Sequence, residues 1–285
     1  MKINTLAPDE SDYPKILSSI AQPPKKLHYI GLLPPERKTS VAIVGTRRPS
    51  AYGKEVTSRL SYDLAKRGIV IVSGLALGVD AIAHASALEA GGTTIAVLGN
   101  GLPKIQPATN RGLAERIVDK GGAIMSEYDM NDDARPHYFL QRNRLVAGLA
   151  DAIIITEAAT RSGTLNTAAH ALEQGKEIFV VPGNITSPLS SGCNALLKQG
   201  ARVVTDYQDV LDVIAPGRSS SQTVLPLGNN ELESAIINLI SSGTRDGDEL
   251  LKRSGVSATE FSTALTMLEL AGTVRSLGAN QWTIR

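Results

Sequence analysis

Four short stretches of this chain combine glycine with small polar residues: Gly45-Thr-Arg-Arg-Pro-Ser-Ala-Tyr-Gly53, Ser73-Gly-Leu-Ala-Leu-Gly78, Gly99-Asn-Gly101 and Ala158-Ala-Thr-Arg-Ser-Gly-Thr164. Each follows a Val- and Ile-rich run and precedes a helical pattern. Backbone N–H groups at such a turn stand at a helix N-terminus, where phosphate is favoured. Thr46, Arg47, Arg48, Ser50, Ser73, Ser162 and Thr164 add hydroxyl and guanidinium donors suited to the same anion. One such loop is an ordinary tight turn; four on one sheet edge point to a phosphate site. Gly45 to Gly53 lacks the G-x-G-x-x-G spacing, and no G-x-x-x-x-G-K-[ST] occurs, which disfavours NAD chemistry and ATP hydrolysis.

Positive charge gathers near these loops. Residues 37–67 hold eight basic side chains (Arg37, Lys38, Arg47, Arg48, Lys54, Arg59, Lys66, Arg67) against Glu55 and Asp63, a local +6. The stretch Arg135-Pro-His-Tyr-Phe-Leu-Gln-Arg-Asn-Arg144 interleaves three arginines with Tyr138 and Phe139 and contains no acid. Cations alternating with aromatics suit a single-stranded nucleic acid, whose backbone needs charge and whose bases need stacking surfaces. Packing under the following helix is the plain alternative for the two aromatics.

Other chemistry is thinly represented. His28, His84, His137 and His170 lie far apart without metal-ligand spacing, so no metal or cofactor is expected. Cys193 opens a helix without an evident base partner, and packing is its expected role. Glu157 and Asp80 have two readings, as catalytic carboxylates or as groups that cap helices and orient arginines. No nucleophile and base pair stands out, so the chain is not expected to be an enzyme.

Positioning these loops requires a sheet. Seven apolar runs are spaced between residues 40 and 206: Val41–Gly45, Ile69–Gly74, Thr94–Gly99, Ala123–Glu127, Asp151–Thr156, Glu177–Val181 and Ala201–Thr205. They are apolar on both faces, as strands of a parallel sheet covered by helices must be. Helical patterns separate them at 54–67, 79–90, 110–120, 141–149, 164–174 and 194–199. The fold class expected is therefore α/β, a Rossmann-like, doubly wound, mostly parallel sheet over residues 37–214. Residues 1–36 carry Pro14, Pro23, Pro24, Pro34 and Pro35 and read as an extended arm. Residues 215–224 read as a polar linker. Residues 225–285 read as three helices and a hairpin, the third helix opened by a Ser257-Ala-Thr-Glu260 capping box, which is the order of a winged helix.

The totals set limits. The chain has 285 residues, 42% hydrophobic and 20% charged, with a net charge of +1 and eleven aromatics from one Trp, seven Tyr and three Phe. That excludes a disordered chain, an all-over basic coat and a long stacking platform. A single cysteine rules out an intramolecular disulfide and suits a reducing cytosol, and no apolar run approaches a membrane span. The tail after Pro226 has five basic and seven acidic side chains, a local −2, which disfavours duplex binding by the winged helix.

Several ordered motifs carry a family resemblance: Gly45-Thr-Arg47 with Tyr52-Gly53, Ser73-Gly-Leu-Ala-Leu-Gly-Val-Asp80 with His84, Arg142-Asn-Arg144, Glu157-Ala-Ala-Thr-Arg-Ser-Gly-Thr164, and Val181-Pro-Gly183 with Ser191-Gly-Cys-Asn194. Over about residues 8–214 the chain closely resembles the DprA/Smf family of DNA-processing proteins, and its tail resembles that family's winged-helix module. The resemblance implies a bacterial cytoplasmic homodimer without a membrane segment. It would act as a single-stranded DNA-binding recombination mediator that protects incoming DNA during natural transformation, in competence, and helps load RecA. The phosphate site it implies is Gly45, Thr46, Arg47, Ser73, Gly74, Ser162, Gly163 and Thr164. Arg142, Asn143 and Arg144 would line the same basic pocket, with Phe139 near a base. Phe139-Leu140 replaces the family's common Phe-Pro, and Gly101-Leu-Pro-Lys-Ile-Gln-Pro107 lacks the usual Asp and Tyr-Pro. Two alternatives remain. One is a nucleotide phosphoribohydrolase of the same extended fold group, in which Thr167 occupies the position of that group's catalytic Glu. The other is a winged-helix regulator that reads duplex DNA.

Overall fold

The computed structural model describes residues 2–34, 36–216, 230–278 and 280–284. It divides into two compact units, 1–219 and 220–285. The linker expected over 215–224 falls outside the described residues from position 217 onward, as do 225–229.

Alternation of side chains explains the first unit. In Ser40–Val44, Val41 and Ile43 enter one core while Ala42 and Val44 enter the other, all buried. Ile153 and Ile155 against Ile154 repeat the pattern in Ala152–Ile155. A strand apolar on both faces must lie between two helical layers.

The sheet has nine strands: β1 (Asn4–Leu6), β2 (Leu27–Gly31), β3 (Ser40–Val44), β4 (Val70–Ser73), β5 (Thr94–Val97), β6 (Ala123–Ser126), β7 (Ala152–Ile155), β8 (Glu177–Val180) and β9 (Arg202–Val203). Their spatial order is β1-β2-β6-β5-β4-β3-β7-β8-β9. All seven strands expected between residues 40 and 206 are present, and β3 to β9 pair in parallel. On one face lie α1 (Ala51–Lys66), α2 (Val79–Glu89) and α7 (Tyr207–Ile214), contributing Leu60, Leu64, Ala83, Ala87, Val210 and Leu211. On the other lie α4 (Pro136–Leu149), α5 (Gly163–Glu173) and α6 (Ser191–Lys198), contributing Val146, Ala168, Ala171 and Cys193. The remaining helix, α3 (Arg111–Asp119), packs Ala114 and Ile117 in a third cluster with Leu98 and Ile124.

The amino-terminal segment is more than an arm. Strand β2 adds antiparallel to β6, and β1 adds antiparallel to β2. The short 3-10 turn Lys15–Ser19 buries Leu17 completely, and Tyr13, Leu17 and Ile20 join the core on the α4 side. Prolines exclude a long helix, and they stand outside both strands, where a missing N–H costs no ladder bond.

Two strands adjoin β3, namely β4 and β7. From β3 the chain first builds outward through β4, β5 and β6, then returns to the other side of β3 with β7. The loops after β3 and β7 therefore part company, leaving a crevice at the strands' carboxyl ends where doubly wound proteins bind ligands.

The second unit contains α8 (Glu231–Ser241), α9 (Gly247–Ser254), α10 (Ala258–Leu270) and the antiparallel pair β10 (Val274–Gly278) and β11 (Gln281–Ile284). Ser257 and Glu260 form the expected capping box. Ile236, Ile240, Leu250, Phe261 and Leu265 form a core of its own.

Candidate nucleic-acid interface

The crevice holds a cavity of about 310 Å³ bounded by the loops after β3, β4 and β7 and by α4. Gly45, Thr46, Arg47, Gly74, Phe139, Arg142, Asn143, Ser162, Gly163 and Thr164 line it. Ser73 and Arg144 do not.

The loop after β3 is fixed from beneath. Thr46 N–H donates to the Glu157 carbonyl at 2.8 Å, and Val79 N–H donates to the Thr46 carbonyl at 3.2 Å. The buried Glu157 carboxylate accepts from Ser50 N–H at 2.9 Å and Ser50 Oγ at 2.5 Å. A Cβ at Gly53 would stand 2.1 Å from Glu157 Oε2, so glycine is required where α1 presses on that carboxylate. Of the two roles open to Glu157, the structure shows it holding loop and helix together. The Arg47 side chain is left exposed, its guanidinium carbon 5.9 Å from the centre of the Phe139 ring.

The loop after β4 is held by Asp80. Its Oδ2 accepts from Gly74 N–H at 3.1 Å and from Ala76 N–H at 3.3 Å. Burial pushes this carboxyl above its ordinary range, while Arg142 and the two N–H groups oppose the rise. Ser73 is fully buried and donates Oγ–H to the Ile43 carbonyl at 2.7 Å. It ties β4 to β3 below the cavity, because the last residue of a buried strand points into the sheet's packing rather than out of its end. The Gly74 and Thr46 N–H groups, expected at phosphate, thus have protein acceptors.

Helix α4 begins at Pro136, five residues before the expected Gln141. Proline suits the first helical position because its φ is already helical and its missing N–H would have no partner there. Phe139, Arg142, Asn143 and Val146 then share one face, spaced three and four apart, and all line the cavity. Arg144 is about 200° around the helix from Arg142 and points elsewhere. It forms a two-pronged ion pair with Glu127, at 2.6 and 2.7 Å, and both partners are largely buried. The basic pocket expected of both arginines therefore has one of them.

Arg142 is itself a strut. Its Nη1 donates to the carbonyls of Gly74 and Val97, and the residue is buried. Burial pulls its pKa below the usual arginine range, with Asp80 working the other way. It places positive charge under the cavity floor rather than a free guanidinium in it.

At the third wall, Ser162 caps α5, its Oγ accepting from Thr164 N–H at 3.2 Å. Gly163 is the first residue of that helix, where N–H groups lack intrahelical acceptors. Asn143 Nδ2 donates to Asn166 Oδ1 at 3.2 Å, which fixes α4 against α5. Arg161, Asp80 and Thr167 also line the cavity and were not among the expected site residues. The signal for Arg161 was its place inside the 158–164 loop. Among the described residues neither Arg47 nor Arg161 has a carboxylate partner.

Cys193 is buried, and burial pushes its thiol up to about 11, which leaves it a packing residue. Among the described residues no group of three or more His, Cys, Asp or Glu side chains could hold a metal ion, and no helix is long and apolar enough to cross a membrane.

Residues 4–215 match the family "DNA recombination-mediator protein A", and residues 221–280 match the "DprA winged helix domain". The chain is 36% identical to Protein Smf of Escherichia coli, over 95% of this chain and 75% of that protein. It is 38% identical to DNA processing protein DprA of Bacillus subtilis, over 78% and 74% of the two chains. The crystal structure of DprA from Streptococcus pneumoniae superposes with a TM-score of 0.70 at 38% identity, covering 75% of each chain. DprA from Helicobacter pylori, whose structure describes a single-stranded DNA binding mode, superposes with a TM-score of 0.66 at 37% identity, covering 74% of this chain and 95% of that one. A Rossmann-like sheet followed by a winged helix is thus accompanied by family matches over residues 4–215 and 221–280: the chain belongs to the DprA/Smf family of DNA recombination-mediator proteins.

Proposed function

We propose that this protein binds single-stranded DNA through the phosphates that enter the β3/β7 cavity, shields the strand, and helps a RecA recombinase assemble on it. The single observation that carries the reading is the wall of the cavity: two guanidinium groups without a carboxylate partner among the described residues, Arg47 and Arg161, beside the α5 N-terminus and Phe139. Guanidinium groups and a helix N-terminus attract phosphate, and the face of a half-buried aromatic ring offers a base a surface without reading its identity. The likeness to the Helicobacter protein supports the same ligand. Action as a homodimer in the bacterial cytoplasm, during transformation, completes the proposal.

Hydrolysis is a poorer fit. The position that a phosphoribohydrolase would fill with a carboxylate is Thr167, and the lining carboxylate, Asp80, is engaged by two backbone N–H groups. Replacing Arg47 and Arg161 separately by alanine tests the reading. Each should weaken binding of every single-stranded sequence alike, by tenfold or thereabouts for a charge-assisted contact of about 1.5 kcal/mol, with unchanged thermal unfolding. Unchanged affinity in both variants would move the site elsewhere.

A further inference from the structure

A second hollow, of about 610 Å³, opens on the other side of the loop after β3, between the start of α1 and the loop after β8. Tyr52 forms one wall. The residue is 46% exposed, although its hydroxyl is tied to the Pro182 carbonyl at 2.9 Å. An aromatic held at its far end with its ring open to solvent loses little freedom when something stacks on it. Packing does not account for the exposure, because the hydrogen bond alone would serve to join the two loops.

The hollow neighbours the first cavity along the chain. Arg47 lines one and Ser50 and Tyr52 line the other, so the two lie within about 17 Å, the greatest reach of five residues. Glu157 joins them: its carbonyl holds Thr46 and its carboxylate holds Ser50. Arg48 and Lys54 are exposed on the same stretch, and neither has a carboxylate partner among the described residues. Asn184, which also lines the hollow, commits its Oδ1 to Thr186. Its amide nitrogen makes no hydrogen bond to the described protein.

We propose that this hollow is a second nucleotide subsite, where a base stacks on Tyr52 while the strand's phosphates pass Arg48 and Lys54 on their way from the first cavity. The proposal rests on the reading of that cavity as a single-stranded DNA site and extends the track beyond it. Aromatic stacking tolerates any base, so the subsite adds length dependence rather than sequence preference.

The test uses the full-length protein and oligothymidylates of about 4 and about 16 nucleotides, the limits of single-strand site size among OB folds. Tyr52→Leu should bind the longer strand about tenfold more weakly, equivalent to about 1.4 kcal/mol, and the shorter strand as the parent does. Tyr52→Phe, which keeps the ring and loses the hydroxyl, should retain the parent's affinity for both. Trp282 is the chain's only tryptophan, so Tyr52→Trp in a Trp282→Phe background gives a local reporter, whose emission should be quenched by the longer strand alone. Equal binding by Tyr52→Leu and the parent, a loss that is the same at both lengths, or an indole that the longer strand leaves unquenched would overturn the subsite. A parent that binds neither strand would instead overturn the reading of the first cavity.

Discussion

Arg142 and Arg144 stand two residues apart and do unlike work. One holds the carbonyls of Gly74 and Val97 beneath the cavity; the other is locked to Glu127 on a different face. Removing one member of a buried ion pair leaves its partner uncompensated, so Arg144→Leu should lower unfolding stability by about 3 kcal/mol in urea melts. It should leave DNA affinity, measured on the folded variant, unaltered; a selective loss of affinity would return Arg144 to the site. His84 makes a second prediction. The Thr94 hydroxyl donates to the Ile71 carbonyl at 2.7 Å and so must accept from His84 Nδ1–H at 2.6 Å, which fixes the Nδ1–H tautomer of the neutral ring. Burial, and then the Arg142 charge, lower this histidine from 6.5 to about 3. The unfolded chain therefore binds a proton below pH 6.5 that the native state refuses until about pH 3. Stability from this group is present above pH 6.5 and is lost as pH falls through that window. Between pH 7 and pH 5 the loss should be about 2 kcal/mol at about 1.4 kcal/mol per pH unit, and His84→Gln should remove it. Parallel pH profiles for parent and variant would contradict the assignment. Residue types on a Gly-rich loop disclosed Arg47, Ser162 and Thr164, since a loop side chain has few alternatives. The same reasoning put Ser73 and Arg144 at the cavity, which neither lines, because whether a polar side chain at a strand end or on a helix faces ligand or protein depends on neighbours distant in sequence.

At the scale of elements, strand and helix alternation was legible because parallel strands buried on both faces leave unbroken Val and Ile runs. The start of α4 was not. The residues from Pro136 to Leu140 mix proline, imidazole, aromatic and aliphatic side chains without a helical period, and only proline at the first helical position marks the boundary. That boundary decides which side chains reach the cavity. Residues 1–36 were equally opaque: prolines dominate the segment, yet β1 and β2 are short enough to fit between them and extend the sheet. The consequence is measurable. Leu17 is completely buried against the α4 side of the sheet, so Leu17→Ala should cost about 3 kcal/mol in equilibrium unfolding. An arm lying loosely outside the domain would show no such loss.

For the whole molecule, a net charge of +1 conceals a division of labour. The first unit gathers unpaired cations at one edge of its sheet. The winged helix does not: α10, the helix that such modules commonly offer to DNA, contains no Lys or Arg and exposes Ser262, Thr263, Thr266, Met267 and Leu270. Phosphate neutralisation should accordingly reside in the first unit alone, and its magnitude has a direct readout. Oligonucleotide affinity measured across a series of salt concentrations, for the full chain and for a chain ending at residue 219, tests the central claim. With about four phosphates neutralised, log affinity for single strands should fall against log salt with a slope near −3 in both, at about 0.7 per contact. A slope near zero, or one that disappears with the winged helix, would contradict it.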